Sequence, residues 1–286
     1  MANEVAKKPA TGLQAFNQTI TNPSTQKYLA DVLGERKGSF VNNLTALVAN
    51  NAQLQECVPL TVMFAALKAT ALNLPLENSL GMAYCIPYKN NKDNTTVAQF
   101  QLGYKGFKQL ALRSGQFAVI PNATEIKEGE LKSRNRLTGE CVFEFIDDDA
   151  KRAKAKTIGY ASYFKLLNGA ESTFYMSIEE MQAHAMRYSQ TYRSKNEYTK
   201  KSSKWTTDFD DMAKKTVIKL NLSRNAPLSV EMQDAIKADQ SVMYEADKYE
   251  YTDNMEQQML DAQKAQEVAD KFADFDDVTD SKEGKK

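Results

Sequence analysis

The chain is predicted to be α+β: N-terminal helices, then an antiparallel β-hairpin and meander with packed helices, then a small helical C-terminal segment. Three observations predict this. Apolar residues recur every three to four positions up to about residue 73, alternate at period two from Gly81, and return to helical spacing after Ser177. A polar arm over 1–23 is expected to be flexible. Residues 24–33, 39–50 and 60–73 then form helices; Pro59 suits the start of the third, and Asn73 with Pro75 stops it. GMAYCIPY from Gly81 is a strand, KNNKDN a turn, and TTVAQFQLG a second strand with Ala98, Phe100 and Leu102 on one face and Gln99 and Gln101 on the other. Residues 104–114 form a short helix closed by Gly115, because a residue without a β-carbon tolerates the left-handed conformation past a helix end. On its wheel Phe107, Leu110 and Ala111 share one side, and Lys105, Lys108, Gln109 and Arg113 occupy the other.

Further strands are expected at 116–126, 141–146, 157–167 and 171–176, the last two joined by a turn at 168–170. Ser177 and Glu180 have capping-box spacing for a helix to about Ser189, and Thr207 with Asp210 can cap another to about Arg224, where Pro227 bars continuation. Between them, residues 190–205 form a long loop with five basic groups and with Tyr192, Tyr198 and Trp205 interleaved. In the helix over 207–224, Phe209, Met212, Ala213, Thr216, Val217 and Leu220 make a buried stripe, which turns Lys214, Lys215 and Lys219 outward.

Composition narrows the function. Of 286 residues, 42% are hydrophobic and 26% charged, and the longest apolar run, Val62–Leu67, is far too short to span a bilayer. The N-terminal sequence lacks the apolar stretch of a secretory signal, and Cys57, Cys85 and Cys141 show no paired spacing, so a cytoplasmic protein with buried thiols is expected. The lone histidine, His184, leaves little for a catalytic triad or a multi-histidine metal site. No GxxxxGK(S/T) loop occurs, and Gly103 and Gly106 are too few for a dinucleotide loop, so chemistry driven by ATP is not expected. Two acidic groups, Asp147–Asp149 and Asp208, Asp210 and Asp211, suit a polar link and a helix start respectively. The second group with Lys214 also allows a metal-dependent nuclease.

Formal charge sums to zero over the chain but is divided: residues 1–225 carry 30 Lys and Arg against 21 Asp and Glu, and residues 226–286 carry 7 against 16. A basic body points to a polyanionic partner. Residues 184–224, which include Arg193, Lys200, Lys201, Lys214, Lys215, Lys219 and Arg224, are the most basic stretch.

The segments LPLENSLGMAYCIPY (74–88), QFQLGYKGFKQLALRSGQF (99–117) and WTTDFDDMAKKTVIKLNLSRNAPLS (205–229) resemble the RecT family of phage and prophage recombinases, which anneal single-stranded DNA. The resemblance runs in order through residues 55–229. It implies a mixed α/β core, homo-oligomeric rings or filaments on DNA, and no need for ATP. It assigns DNA contact to Lys105, Arg113, Lys215, Thr216 and Lys219, and less directly to Arg193, Lys200 and Lys201. The charge pattern adds Lys108, Lys214 and Arg224.

Annealing fits this chemistry, because strand pairing is downhill and a protein needs only to align two phosphate backbones in a cationic groove. Residues 24–229 are therefore expected to be the annealing and oligomerisation core, acting on single strands and the nascent duplex. A charged linker or short helix follows at 230–253, then an acidic tail at 254–286. Within the tail, 254–275 is a candidate amphipathic helix for a partner, by resemblance a phage exonuclease or a host single-strand binding protein. No cofactor is expected to be required, with magnesium at most stimulatory. A passive single-strand binding protein is the remaining alternative.

Overall fold

The computed structural model describes residues 12–90, 94–245 and 248–251. Five helices come first: α1 (Leu13–Thr21), α2 (Pro23–Leu33), α3 (Lys37–Ala49), α4 (Ala52–Gln55) and α5 (Pro59–Ala71). Short polar side chains start two of them: the Asn22 carboxamide accepts from the Ser24 N–H ahead of α2, and Asn51 accepts from Gln53 and Leu54 ahead of α4. The polar arm expected over 1–23 is shorter than that, because Phe16 and Ile20 of α1 are buried against α5 with Leu29, Leu44, Val48 and Leu54. One side of α5 (Val62, Met63, Ala66) faces this helical layer and the other (Ala65, Ala69) faces the central core, which accounts for its nearly all-round apolar sequence.

The hairpin forms as expected. β1 (Ala83–Asn90) and β2 (Thr95–Leu102) pair antiparallel from Ala83 opposite Leu102 to Asn90 opposite Thr95. α6 (Tyr104–Ser114) follows, and Gly115 closes it at φ +65. A β-carbon on Gly103 would overlap the Gly81 carbonyl, and one on Gly106 the Met82 carbonyl, so both glycines let α6 lie directly on the start of β1.

The expected single meander is instead two sheets. β3 (Phe117–Lys127) leads to β4 (Leu131–Arg134) and β5 (Cys141–Phe143), which pair only with each other, and then to α7 (Asp149–Lys154). β6 (Thr157–Leu166) and β7 (Glu171–Ser177) complete a sheet of order β3-β6-β7. Glu130 makes the chain leave that sheet: its fully buried carboxylate accepts from the Lys127 and Ile146 N–H groups and from Arg152 of α7. The Asp147–Asp149 cluster is used locally, Asp148 capping α7 through the Ala150 and Lys151 N–H groups.

α8 (Ile178–Tyr188) begins with the expected Ser177–Glu180 capping box. The long basic loop is partly helical, as α9 (Glu197–Lys201) and α10 (Lys204–Thr207), because Asn196 caps the first and Trp205 is drawn into the core at 6% exposure. α11 (Phe209–Asn225) starts at Asp208; Thr207, expected as its cap, ends α10 and donates to the Asp208 carboxylate instead. α11 is the central helix, packed against β3, β6, β7 and α6, and Ala213, Val217, Ile218 and Leu222 are fully buried.

The segment read as a charged linker or short helix packs onto this core: α12 (Val230–Ala238) buries Met232, Ala235 and Ala238, and β8 (Ser241–Glu245) and β9 (Lys248–Glu250) extend the hairpin to a sheet of order β1-β2-β8-β9. The candidate helix over 254–275 lies outside the described residues.

Candidate nucleic-acid interface

Three walls enclose a cavity of about 460 Å³. Ile86, Gln99 and Gln101 of the hairpin form one wall, His184, Tyr188 and Trp205 a second, and Lys215, Thr216, Lys219 and Arg224 of α11 a third, closed by Asp239 and Gln240 after α12. Lys219 lies four positions after Lys215 and three after Thr216, so one helix face presents these three together, and Arg224 lines the cavity from the last turn.

The lysines differ in setting. Lys215 was expected to point outward, yet it is 9% exposed, because α11 is packed from both sides. Burial pushes its ammonium below the ordinary lysine range and Lys219 adds to this, while Asp239 opposes both. Lys219 is more open and donates to Asp239 Oδ2 at 2.6 Å. Burial alone would raise the Asp239 carboxyl; Lys215, Lys219 and the Leu102 N–H hold it below its usual value. The Thr216 hydroxyl donates back to the Met212 carbonyl.

The second wall is aromatic. The His184 ring centre lies 4.5 Å from that of Tyr188 and 6.2 Å from that of Trp205. Burial, with repulsion from Lys219, Arg224 and Arg187, pushes the imidazole down to about 4, so it is neutral at pH 7. Cationic side chains thus face a neutral ring surface across one cavity, an arrangement that suits a phosphodiester chain with bases alongside it.

The other basic candidates lie elsewhere. Lys108 donates to the Asn122 side chain at 3.2 Å and Lys214 pairs with Glu125 at 3.3 Å, so both reach β3. Arg113 donates to the carbonyls of Leu72 and Asn73, each at 2.8 Å, satisfying groups at the end of α5. Lys105 is exposed beside Gly81. None of these four lines the cavity. Arg193 donates to the Arg187 carbonyl, and Lys200 and Lys201 sit on α9. Arg224 lies 5.3 Å from the Phe174 ring centre.

Sequence reasoning passed over Gln99, Gln101, Tyr188 and Asp239. The two glutamines were visible as the face of the second strand opposite Ala98, Phe100 and Leu102; Asp239 carried no signal, being one acidic residue in an acidic stretch. As for the acidic trio, Asp208 pairs with Lys204 at 2.9 Å and Asp210 accepts from Tyr160. Among the described residues, no group of three or more His, Cys, Asp or Glu side chains is placed to hold a metal ion.

A family model describing the RecT family matches residues 38–257, a span that includes the GYKG segment at the head of α6 and the MAKKT segment inside α11. The chain belongs to the RecT family. It is 39% identical over 217 residues to the uncharacterized protein YqaK of Bacillus subtilis (strain 168), covering 76% of this chain and 69% of that one. It is 26% identical over 232 residues to Protein RecT of Escherichia coli (strain K12), covering 77% and 78%. RecT membership makes this a single-strand annealing and recombination protein in general terms. The match extends past residue 229, consistent with the packing of α12 and β8 on the core. No helix among the described residues is long and apolar enough to cross a membrane.

Proposed function

We propose that this protein anneals complementary DNA strands without ATP by gripping backbone phosphates along α11. The observation that supports this is that Lys215, Thr216, Lys219 and Arg224, all from α11, line one cavity. Phosphate contact fixes a strand without reading it, so pairing edges stay available to a complement. Duplex formation supplies the free energy, with stacking averaging about 1.4 kcal/mol per step, and no nucleotide has to be hydrolysed. Lys105, Lys108, Lys214, Arg193, Lys200 and Lys201 serve the approach of the strand outside the cavity, and Arg113 adds a cation on α6 while it caps α5.

A cavity of about 460 Å³ is small beside a long strand, so such a strand is spanned by adjoining copies in a ring or filament. The residues after 253 serve partner contact, with a phage exonuclease and a host single-strand binding protein as the partners the family suggests. Magnesium assists without being required, and the protein works in the cytoplasm.

The test is annealing of complementary labelled oligonucleotides by purified protein without ATP. Faster pairing at unchanged strand length is expected. Strand shortening in magnesium would favour a nuclease using Asp208, Asp210 and Asp211, and protection with slowed pairing would favour a passive binding protein.

A further inference from the structure

Asp239 follows the last turn of α12 and is 2% exposed. Its Oδ1 accepts from the Leu102 N–H at 2.8 Å and lies 3.6 Å from Lys215 Nζ, while Oδ2 lies 2.6 Å from Lys219 Nζ. One buried carboxylate thus serves two ammonium groups that repel each other from successive turns of α11. The ratio matters. A carboxylate with one lysine would be a neutral structural pair, whereas one with two lysines leaves a net positive charge fixed at the cavity wall.

The surroundings leave this role to Asp239. Lys219 and Arg224 on α11, His184 and Tyr188 on α8, Lys204 on α10, and Gln99 and Gln101 on β2 all line the same cavity, and Asp239 is the single acidic residue among the described lining residues. Its backbone bond to Leu102 anchors the carboxylate on the hairpin, so its position does not depend on the lysines.

We propose that Asp239 is a positioning residue for the DNA backbone: from one fixed point it holds the Lys215 and Lys219 ammonium groups beside each other, and they meet an incoming phosphate as a pair. This rests on the DNA reading above. Lys215 is the member that needs help, since burial and Lys219 both favour its neutral form and Asp239 opposes them. Without the carboxylate Lys215 loses its proton at lower pH, and the paired site becomes a single cation.

The experiment compares the full-length parent with Asp239→Asn, which keeps an oxygen for the Leu102 N–H but removes the charge. Binding of a fluorescent oligothymidylate is measured from pH 7 to pH 10 at several salt concentrations. The expected result is an affinity that falls about tenfold more steeply with rising pH in Asp239→Asn than in the parent. The dependence of log K on log salt should be smaller by about one phosphate contact, and Asp239→Glu should restore the parental profile. A variant with the parental pH profile and salt slope, or one that binds more tightly at every pH, overturns the proposal.

Lysine Nζ NMR without DNA keeps the test independent of the functional reading. The Lys215 midpoint should fall in Asp239→Asn, and an unmoved midpoint overturns the coupling, whereas a parent that binds no DNA overturns the functional reading alone. Should Asp239→Asn fail to fold, Lys219→Gln serves, because its side chain is 25% exposed; there the Lys215 midpoint should rise, and no rise overturns the proposal.

Discussion

Lys68 of α5 and Asp234 of α12 stand 2.9 Å apart although 166 positions separate them in the chain. Tyr249 of β9 donates to the same carboxylate at 2.7 Å, and its ring centre lies 5.3 Å from the Lys68 ammonium. Burial pushes Lys68 down, but bonds to Tyr249 and Asp234 outweigh it and hold the ammonium above its ordinary range. The N-terminal helices and the last described strands are therefore fastened to each other. A chain cut after Tyr251 should keep its unfolding midpoint and its annealing of naked DNA. A chain cut after Ser229 loses Met232, Ala235, Ala238, Asp234 and Asp239 together, so both should fail. Thermal melts and annealing rates on the two truncations check this; annealing by the 1–229 chain would remove the C-terminal segment from the groove.

The hairpin, α6, α8 and β6–β7 were legible because each carries a local signal in a single sequence: period-two runs joined by turn residues, an apolar stripe closed by Gly115, and the Ser177–Glu180 capping box. Lys215 was misread for the opposite reason. α11 is covered on more than one side, so a wheel with one apolar stripe assigns its lysine to solvent while the fold puts it in the wall of a cavity beside a carboxylate. Asp239, Leu102 and Lys215 meet only through tertiary packing, with no local spacing to announce it. α1 was missed because Phe16 and Ile20 are its only large buried residues amid a polar sequence. The basic character of the site was legible as composition, but its geometry was not.

Gly106 explains why the GYKG segment needs its second glycine: a β-carbon there would strike backbone, the Met82 carbonyl, as well as the Leu102 side chain. Backbone cannot be rotated aside, so α6 would have to move off β1. Gly106→Ala should destabilise the protein by about 2 kcal/mol or more, lowering the unfolding midpoint by about 2–4 °C per kcal/mol for a domain of this size. An unchanged melt would show that α6 does not rest on Met82.

Glu130 ties β3, the segment after β5 and α7 at one point, and its carboxyl is held below the usual carboxylate range: burial opposes this, but Arg152 and the Lys127 and Ile146 N–H groups outweigh it. A carboxylate with a depressed folded-state value contributes stability that is fully present above the unfolded value near 4.5 and is lost as pH falls through the lower folded value. The acid limb of a stability–pH curve should therefore be shallower in Glu130→Gln than in the parent. At pH 7 the same change should cost about 1–3 kcal/mol, since a buried charged partner of Arg152 is replaced by a neutral one. Parallel curves for the two proteins would separate Glu130 from the acid response.

Lys219 and Arg113 should part company in two measurements. Lys219 opens into the cavity, so Lys219→Ala should weaken binding to every sequence alike and reduce the salt slope by about one unit. Arg113 closes two carbonyls at the end of α5, so Arg113→Ala should also lower the unfolding midpoint of the DNA-free protein, by the equivalent of about 1–2 kcal/mol. Fluorescence titrations in graded salt, with melts in the same buffers, check both. A Lys219→Ala protein with the parental slope would take α11 out of phosphate contact.

His184 sets a pH limit of a different kind. In the folded protein the imidazole is pushed down to about 4 by burial and by Lys219, Arg224 and Arg187, while in the unfolded chain it takes up its proton near 6.5. Between those values the unfolded state binds a proton that the folded state refuses, so stability falls as pH drops from about 6.5 towards 4 and is unaffected above that window. DNA works against this trend. A phosphate seated beside Lys219 and Arg224 cancels part of the repulsion on the ring, so the His184 midpoint should rise when an oligonucleotide binds, and affinity should increase as pH is lowered through the same window. His184→Gln should remove the protonation-linked part of both effects, which reads as a flat dependence of affinity on pH through that window. Imidazole proton NMR with and without oligothymidylate measures the shift, and a midpoint that stays near 4 in the complex would place the bound phosphate away from the α8 wall of the cavity.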